Sequence, residues 1–96
     1  MRVLVLDDDP FIIEILGKFL TRSGHTVIKV TDTDQARNKI HEYQGSIDLL
    51  ISDICLPGES GILFIEKLKQ QYPYIDVVLM TGLSDIIASD VLIKGA

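Results

Sequence analysis

The spacing of apolar residues alternates between two periods along this chain, and this alternation restricts the fold more than any other feature of the sequence. Short continuous apolar runs, typical of strands covered on both faces, are each followed by apolar residues at helical spacing. The runs predict strands at 2–6, 26–30, 47–52 and 75–80. Because strands and helices alternate with short connections, the sequence predicts an α/β fold, a doubly wound parallel sheet with helices on both faces.

Local signals at the helix ends support this division. Asp9 and Pro10 are typical of a helix start, since Asp caps the first turn and Pro lacks the N–H that this turn leaves unpaired. A final helix is predicted to begin at Ser84 and to continue through residues 91–94.

Polar side chains follow three of the predicted strands. Asp7, Asp8 and Asp9 come directly after the first strand. Asp53 ends the third strand, and Thr81 follows the fourth. Ligands of open α/β sheets bind outside the carboxyl ends of the strands, so we expect these groups at one edge. Converging carboxylates repel one another unless a cation lies between them, and oxygen ligands suit Mg²⁺. A carboxylate there could also act as a nucleophile toward a phosphoryl group.

Three motifs lie at these strand ends: VLVLDDDP at 3–10, LLISDICLPGESG at 49–61 and VVLMTG at 77–82. In this order, and with the terminal KGA, they resemble the receiver domain of bacterial two-component response regulators over essentially the whole chain. The resemblance implies the flavodoxin-like strand order 2-1-3-4 and a single receiver domain over 1–96. It also implies a signalling switch that accepts a phosphoryl group from a sensor histidine kinase or a phosphotransfer protein.

The resemblance also implies roles for individual residues. Asp53 corresponds to the phosphoacceptor. Asp7 and Asp8, together with Asp53 and the backbone carbonyl of Cys55, correspond to the ligands of Mg²⁺. Thr81 corresponds to the hydroxyl that binds a phosphoryl oxygen after transfer. Such a domain would promote its own phosphorylation and hydrolysis, but its role is regulatory and not that of an enzyme.

Two further parts of the family pattern also have counterparts in this sequence. Gly82 matches the small residue beside the phosphoryl group, while Pro57 and Gly61 match the loop after the acceptor.

The C-terminal end departs from the family pattern. Receivers continue into a fifth strand, whose lysine pairs with the phosphoryl group, and into a further helix. Lys94 is not that lysine, because it is predicted to lie inside the last helix. We therefore expect an incomplete domain without the fifth strand and helix. The fourth strand would then have an open edge at which a homodimer could form.

The composition restricts the kinds of binding partner and the cellular location that we expect. The formal net charge is −5 and the 9 Lys and Arg residues are scattered, so we expect no direct nucleic acid binding by this domain. No apolar run approaches the roughly 20 residues of a membrane span, and no signal peptide is recognisable. The single Cys55 cannot form an internal disulfide, which agrees with a cytoplasmic location.

Two other functions stay open on the sequence alone. A receiver-like module that is not phosphorylated, and serves interaction or dimerisation, would fit the missing lysine. A phosphatase of the haloacid dehalogenase type needs a second acid two residues after its nucleophile, which Asp7 and Asp9 offer. Against it, 96 residues leave no room for a cap insertion or for the downstream lysine and acid. In the receiver interpretation Asp9 instead caps the first helix.

Overall fold

The computed structural model describes residues 1–54, 56 and 58–80, and the backbone of 91–94. These residues form one five-stranded sheet with the order β2-β1-β3-β4-β5. The strands are β1 (Arg2–Leu6), β2 (Thr26–Val30), β3 (Leu49–Asp53), β4 (Asp76–Met80) and β5 (Val91–Lys94), and the helices are α1 (Pro10–Arg22), α2 (Thr33–Glu42) and α3 (Gly61–Gln71). Strands β1 to β4 are parallel, so the predicted order 2-1-3-4 is confirmed.

Strand β1 lies in the middle of the parallel sheet, and both of its faces are covered. Val3 and Val5 belong to a core cluster that contains Ile12 of α1. Leu4 and Leu6 belong to the larger core on the opposite face, which contains buried residues of α2 and α3. All four side chains are 0% exposed. The continuous apolar run therefore follows from burial on both faces, because neighbouring residues of a strand point to opposite sides.

The N-terminal ends of the first two helices are closed by aspartate side chains. The carboxylate of Asp9 accepts a hydrogen bond from the N–H of Phe11 at 2.9 Å. Asp32 accepts one from the N–H of Gln35 at 2.8 Å at the start of α2. The predicted capping role of Asp9 is confirmed, and this bond orients α1 directly after the strand end that carries the acids.

The C-terminal segment differs from the prediction. Val91–Lys94 forms β5, which pairs antiparallel with β4 and places Val91 opposite Met80. The prediction of helix at 91–94 is wrong, and so is the expectation of an open β4 edge, because the antiparallel β5 pairs with it. A run rich in β-branched residues favours a strand, and the edge of β4 supplies the backbone donors and acceptors that such a strand needs. The helix start predicted at Ser84 lies outside the described residues.

The helices that the structure describes do not include one that could span a membrane. None of them combines the length and the apolar character that a bilayer span requires.

Candidate metal centre

The parallel register brings two of the predicted site residues side by side. Leu6 of β1 is opposite Ser52 of β3, so Asp7 and Asp53 follow at neighbouring positions where the two strands end. The predicted meeting of these strand ends at one edge of the sheet follows directly from this pairing.

Backbone hydrogen bonds fix both strand ends. The N–H of Asp7 donates to the carbonyl of Val30 in β2 at 3.2 Å. Asp53 is opposite Met80 of β4, and the next N–H, of Ile54, donates to the Met80 carbonyl at 2.9 Å. The two acids therefore project from backbone that neighbouring strands hold in place.

Three carboxylates converge at this edge. One oxygen from each of Asp7, Asp8 and Asp53 lies within 4.8 Å of the others. Asp7 is buried, Asp53 is half-buried and Asp8 is exposed, so the group is open to solvent on one side. An ion could therefore reach the group from solution and contact all three residues.

The electrostatic environment of Asp7 is unfavourable for a negative charge. Burial raises the pKa of Asp7 from 3.8 to about 6. The backbone N–H of Asp9 donates to Oδ1 of Asp7 at 2.8 Å and opposes part of this rise in pKa, whereas the nearby charges of Asp53 and Asp8 add to it. The fold thus places a buried carboxylate next to two others. A cation at this point would lower the free-energy cost of ionising Asp7.

The donor set fits a hard divalent cation. Mg²⁺ is bound in proteins by one or two carboxylates together with water, and the open side of this group leaves room for water. The three carboxylates supply oxygen ligands only, which suits Mg²⁺ and not the nitrogen and sulfur preference of structural zinc sites.

Asp9 does not belong to this group of acids. Its carboxylate caps α1, and it is not among the residues whose oxygens converge. The Asp7 and Asp9 pairing that a phosphatase of the haloacid dehalogenase type would require is therefore not formed within the described part of the chain.

Four other residues singled out from the sequence cannot be placed. Cys55, Pro57, Thr81 and Gly82 lie outside the described residues.

Gly61 occupies a position where the chain passes close to the end of β3. Its N–H donates to the carbonyl of Ile54 at 2.8 Å, which closes the loop that follows Asp53. A Cβ on Gly61 would meet the carbonyl oxygen of Asp53 and would lie 2.9 Å from Cα of Ile54. Only glycine fits here without moving the backbone, which explains the loop glycine noted in the sequence.

Glu59 is a residue of this loop to which the sequence analysis assigned no role. Its carboxylate accepts two hydrogen bonds from Nη2 of Arg37, at 2.6 and 2.9 Å, and Nζ of Lys67 lies 3.4 Å away. The Arg37 guanidinium holds the pKa of Glu59 below its usual value. No local sequence signal could have revealed this pair, because its members are 22 residues apart in sequence and meet only through the fold.

Comparison with known proteins agrees with the fold. Residues 3–96 match the family model of the response regulator receiver domain. Response regulator GtcR of Aneurinibacillus migulanus is 36% identical over 77 residues, which cover 80% of this chain and 31% of that protein. The transcriptional regulatory protein AruR of Pseudomonas aeruginosa is 35% identical over 87 residues, which cover 88% of this chain and 35% of that protein. The chain belongs to the receiver domain family of response regulators, and it spans about a third of the length of these two relatives.

Solved structures show the same architecture. A response regulator receiver domain protein from Clostridium thermocellum superposes with a TM-score of 0.79 at 26% identity, over 91% of this chain and 69% of that one. Response regulator TrrA from Thermotoga maritima, solved in complex with Mg²⁺-BeF, superposes with a TM-score of 0.76 at 31% identity, over 93% and 75% of the two chains. The flavodoxin-like receiver fold predicted from the sequence is confirmed.

Proposed function

We propose that this chain is a phosphorylation-dependent switch of a two-component phosphorelay, with Asp53 as the phosphoacceptor. The observation that carries this proposal is the convergence of Asp7, Asp8 and Asp53 within 4.8 Å at the carboxyl ends of two neighbouring strands. The Mg²⁺-BeF complex of TrrA, a structural neighbour, supports a metal-dependent site of this kind. The donor would be a sensor histidine kinase or a phosphotransfer protein, and the single cysteine favours a cytoplasmic setting.

Asp7, Asp8, Asp53 and the backbone carbonyl of Cys55 would hold Mg²⁺ in this proposal. The bound metal would offset the negative charge of the carboxylates and of the incoming phosphoryl oxygens. Asp7 would supply charge from its buried position, and Asp8 from the exposed side of the group.

Transfer would use a carboxylate oxygen of Asp53 as the nucleophile. As this oxygen forms a bond to phosphorus, the bond from phosphorus to the donor imidazole nitrogen breaks, and its electron pair leaves with that nitrogen. The backbone pairing of Asp53 with Met80 would help to hold this nucleophile in place, which matters because catalysis of this kind depends mainly on position and charge. Attack of water on the same phosphorus would later break its bond to the Asp53 oxygen, release inorganic phosphate and regenerate the carboxylate.

The switch would follow from the added charge. An aspartyl-phosphate places about two negative charges next to a buried carboxylate. The hydroxyl of Thr81, which follows Met80 in sequence, would bind a phosphoryl oxygen. Because Met80 is opposite Asp53 in the sheet, a change at the acceptor would reach β4 directly.

Intact-mass spectrometry tests this function. We expect the protein to gain one phosphoryl group from acetyl phosphate in Mg²⁺, and to gain none in EDTA or as Asp53→Asn. Asp9→Asn is the matched control, because this acid caps α1 and should leave the gain unchanged. No gain by the folded wild-type chain would contradict the proposal and would favour an interaction or dimerisation module.

A further inference from the structure

We propose that Arg37 is a positioning residue for Asp53 and acts on it through Glu59 and Gly61. The inference rests on the proposed function in one respect, namely that Asp53 contributes to a Mg²⁺ site. Arg37 lies on α2, outside the group of acids, and it does not contact the metal centre itself.

The first step is the ion pair between α2 and the loop. Both carboxylate oxygens of Glu59 accept hydrogen bonds from Nη2 of Arg37, and the Glu59 side chain is only 15% exposed. Nζ of Lys67 on α3 approaches the same carboxylate at 3.4 Å. A loop carboxylate that is bonded through both oxygens and has two cationic partners is more restrained than one in an isolated surface ion pair.

The second step is the support of Arg37 itself. Its guanidinium carbon lies 5.0 Å from the centre of the Phe64 ring, a cation–π distance. Phe64 is 1% exposed and belongs to the core beneath α2 and α3. The cationic end of the pair is therefore anchored on a rigid part of the protein, and Arg37 can hold the loop in place.

The third step leads from Glu59 to the acceptor. Gly61 follows two residues later and packs against the backbone oxygen of Asp53, with no space for a Cβ. Its N–H also donates to the carbonyl of Ile54 at 2.8 Å. A shift of Glu59 therefore moves Gly61, and a shift of Gly61 changes the backbone from which the Asp53 carboxylate projects.

The consequence is measurable as metal affinity. Residues that orient a metal ligand without touching the metal typically contribute 10- to 100-fold to affinity, and this pair acts on one ligand only. We expect Arg37→Ala and Glu59→Gln each to raise the Kd for Mg²⁺ about tenfold. Arg37→Lys should have an intermediate effect, because an ammonium group cannot reproduce the planar guanidinium.

The test is a Mg²⁺ titration of the whole chain, followed by amide NMR signals at a temperature at which every variant is folded. The variants are Arg37→Ala, Arg37→Lys, Glu59→Gln and the double variant Arg37→Ala with Glu59→Gln. Asp34→Asn is the matched control, because Asp34 also pairs with Arg37, at 3.5 Å, but its side chain is 92% exposed. If the pair acts as a unit, the double variant should lose no more affinity than either single one, and the control should bind as the wild type does.

Two outcomes would overturn the inference. Wild-type affinity in Arg37→Ala and Glu59→Gln would show that the pair does not position Asp53. Losses that multiply in the double variant would show that the two residues act separately. Either result, together with Mg²⁺ binding and phosphorylation by the wild type, would remove this inference and leave the proposed function standing. Failure of the wild type to bind Mg²⁺ would overturn both.

Discussion

The replacement Asp7→Asn should make the metal-free protein more stable, although it removes a residue of the proposed site. Asp7 is 5% exposed, and its pKa is raised from 3.8 to about 6, first by burial and further by the charges of Asp53 and Asp8. This rise corresponds to at most about 3 kcal/mol of lost stability at neutral pH. We expect a gain of about 1–2 kcal/mol from the substitution, because solvent beside the exposed Asp8 weakens the effect. Asparagine can still accept the hydrogen bond from the N–H of Asp9.

The pH dependence distinguishes this cause from a general packing effect. Well below pH 3.8 the carboxyl of Asp7 is protonated in both the folded and the unfolded chain, so it does not lower the stability. Between pH 4 and 6 the folded chain keeps the proton and the unfolded chain releases it, so wild-type stability falls as pH rises. Above about pH 6 the penalty is constant. The stability difference between Asp7→Asn and wild type should therefore grow from a small fraction at pH 4 to its full value at pH 7.

Urea unfolding in EDTA from pH 4 to 7 measures this difference, with Asp34→Asn as a control for loss of an exposed carboxylate. Added Mg²⁺ should stabilise the wild type by about 1.4 kcal/mol at ten times its Kd, and should stabilise Asp7→Asn much less. A variant no more stable than wild type at pH 7, or a difference that does not change between pH 4 and 7, would show that ionised Asp7 does not destabilise the metal-free fold.

Three further substitutions test other parts of the account. Gly61→Ala should destabilise the protein by about 1–3 kcal/mol in urea unfolding, because the new carbon would overlap the backbone of Asp53; an unchanged midpoint would contradict the close approach. Asp9→Ala should cost about 1 kcal/mol through loss of the cap on Phe11, with phosphorylation by acetyl phosphate intact, and loss of phosphorylation would argue that Asp9 belongs to the site. Phe64→Ala should cost about 3–5 kcal/mol in chemical denaturation, and a loss below about 1 kcal/mol would be inconsistent with its burial.

Much of the parallel sheet could be predicted because local and global signals agree there. The predicted strands at 2–6 and 26–30 coincide with β1 and β2. A short apolar run that is bounded by a helix cap or a glycine indicates a strand where strands and helices alternate along the chain. The meeting of Asp7, Asp8 and Asp53 was also predictable, because parallel pairing brings the carboxyl ends of strands to one edge.

The rest depends on contacts between distant parts of the chain. Residues 91–94 have apolar character that fits either a helix or a strand, and pairing with the edge of β4 decides between them. The pair formed by Arg37 and Glu59 requires α2 and the loop after β3 to lie side by side, which no local pattern encodes. The raised pKa of Asp7 likewise arises from burial that only the folded chain provides.

Identification of the residue that carries the phosphoryl group tests whether Asp53 is the phosphoacceptor. The protein would be phosphorylated with acetyl phosphate in Mg²⁺ and treated with borohydride, which reduces an aspartyl-phosphate to homoserine, and the peptides would then be sequenced by mass spectrometry. We expect homoserine at position 53 alone. Reduction at position 7, 8 or 9, or phosphorylation without any reduced aspartate, would contradict this expectation.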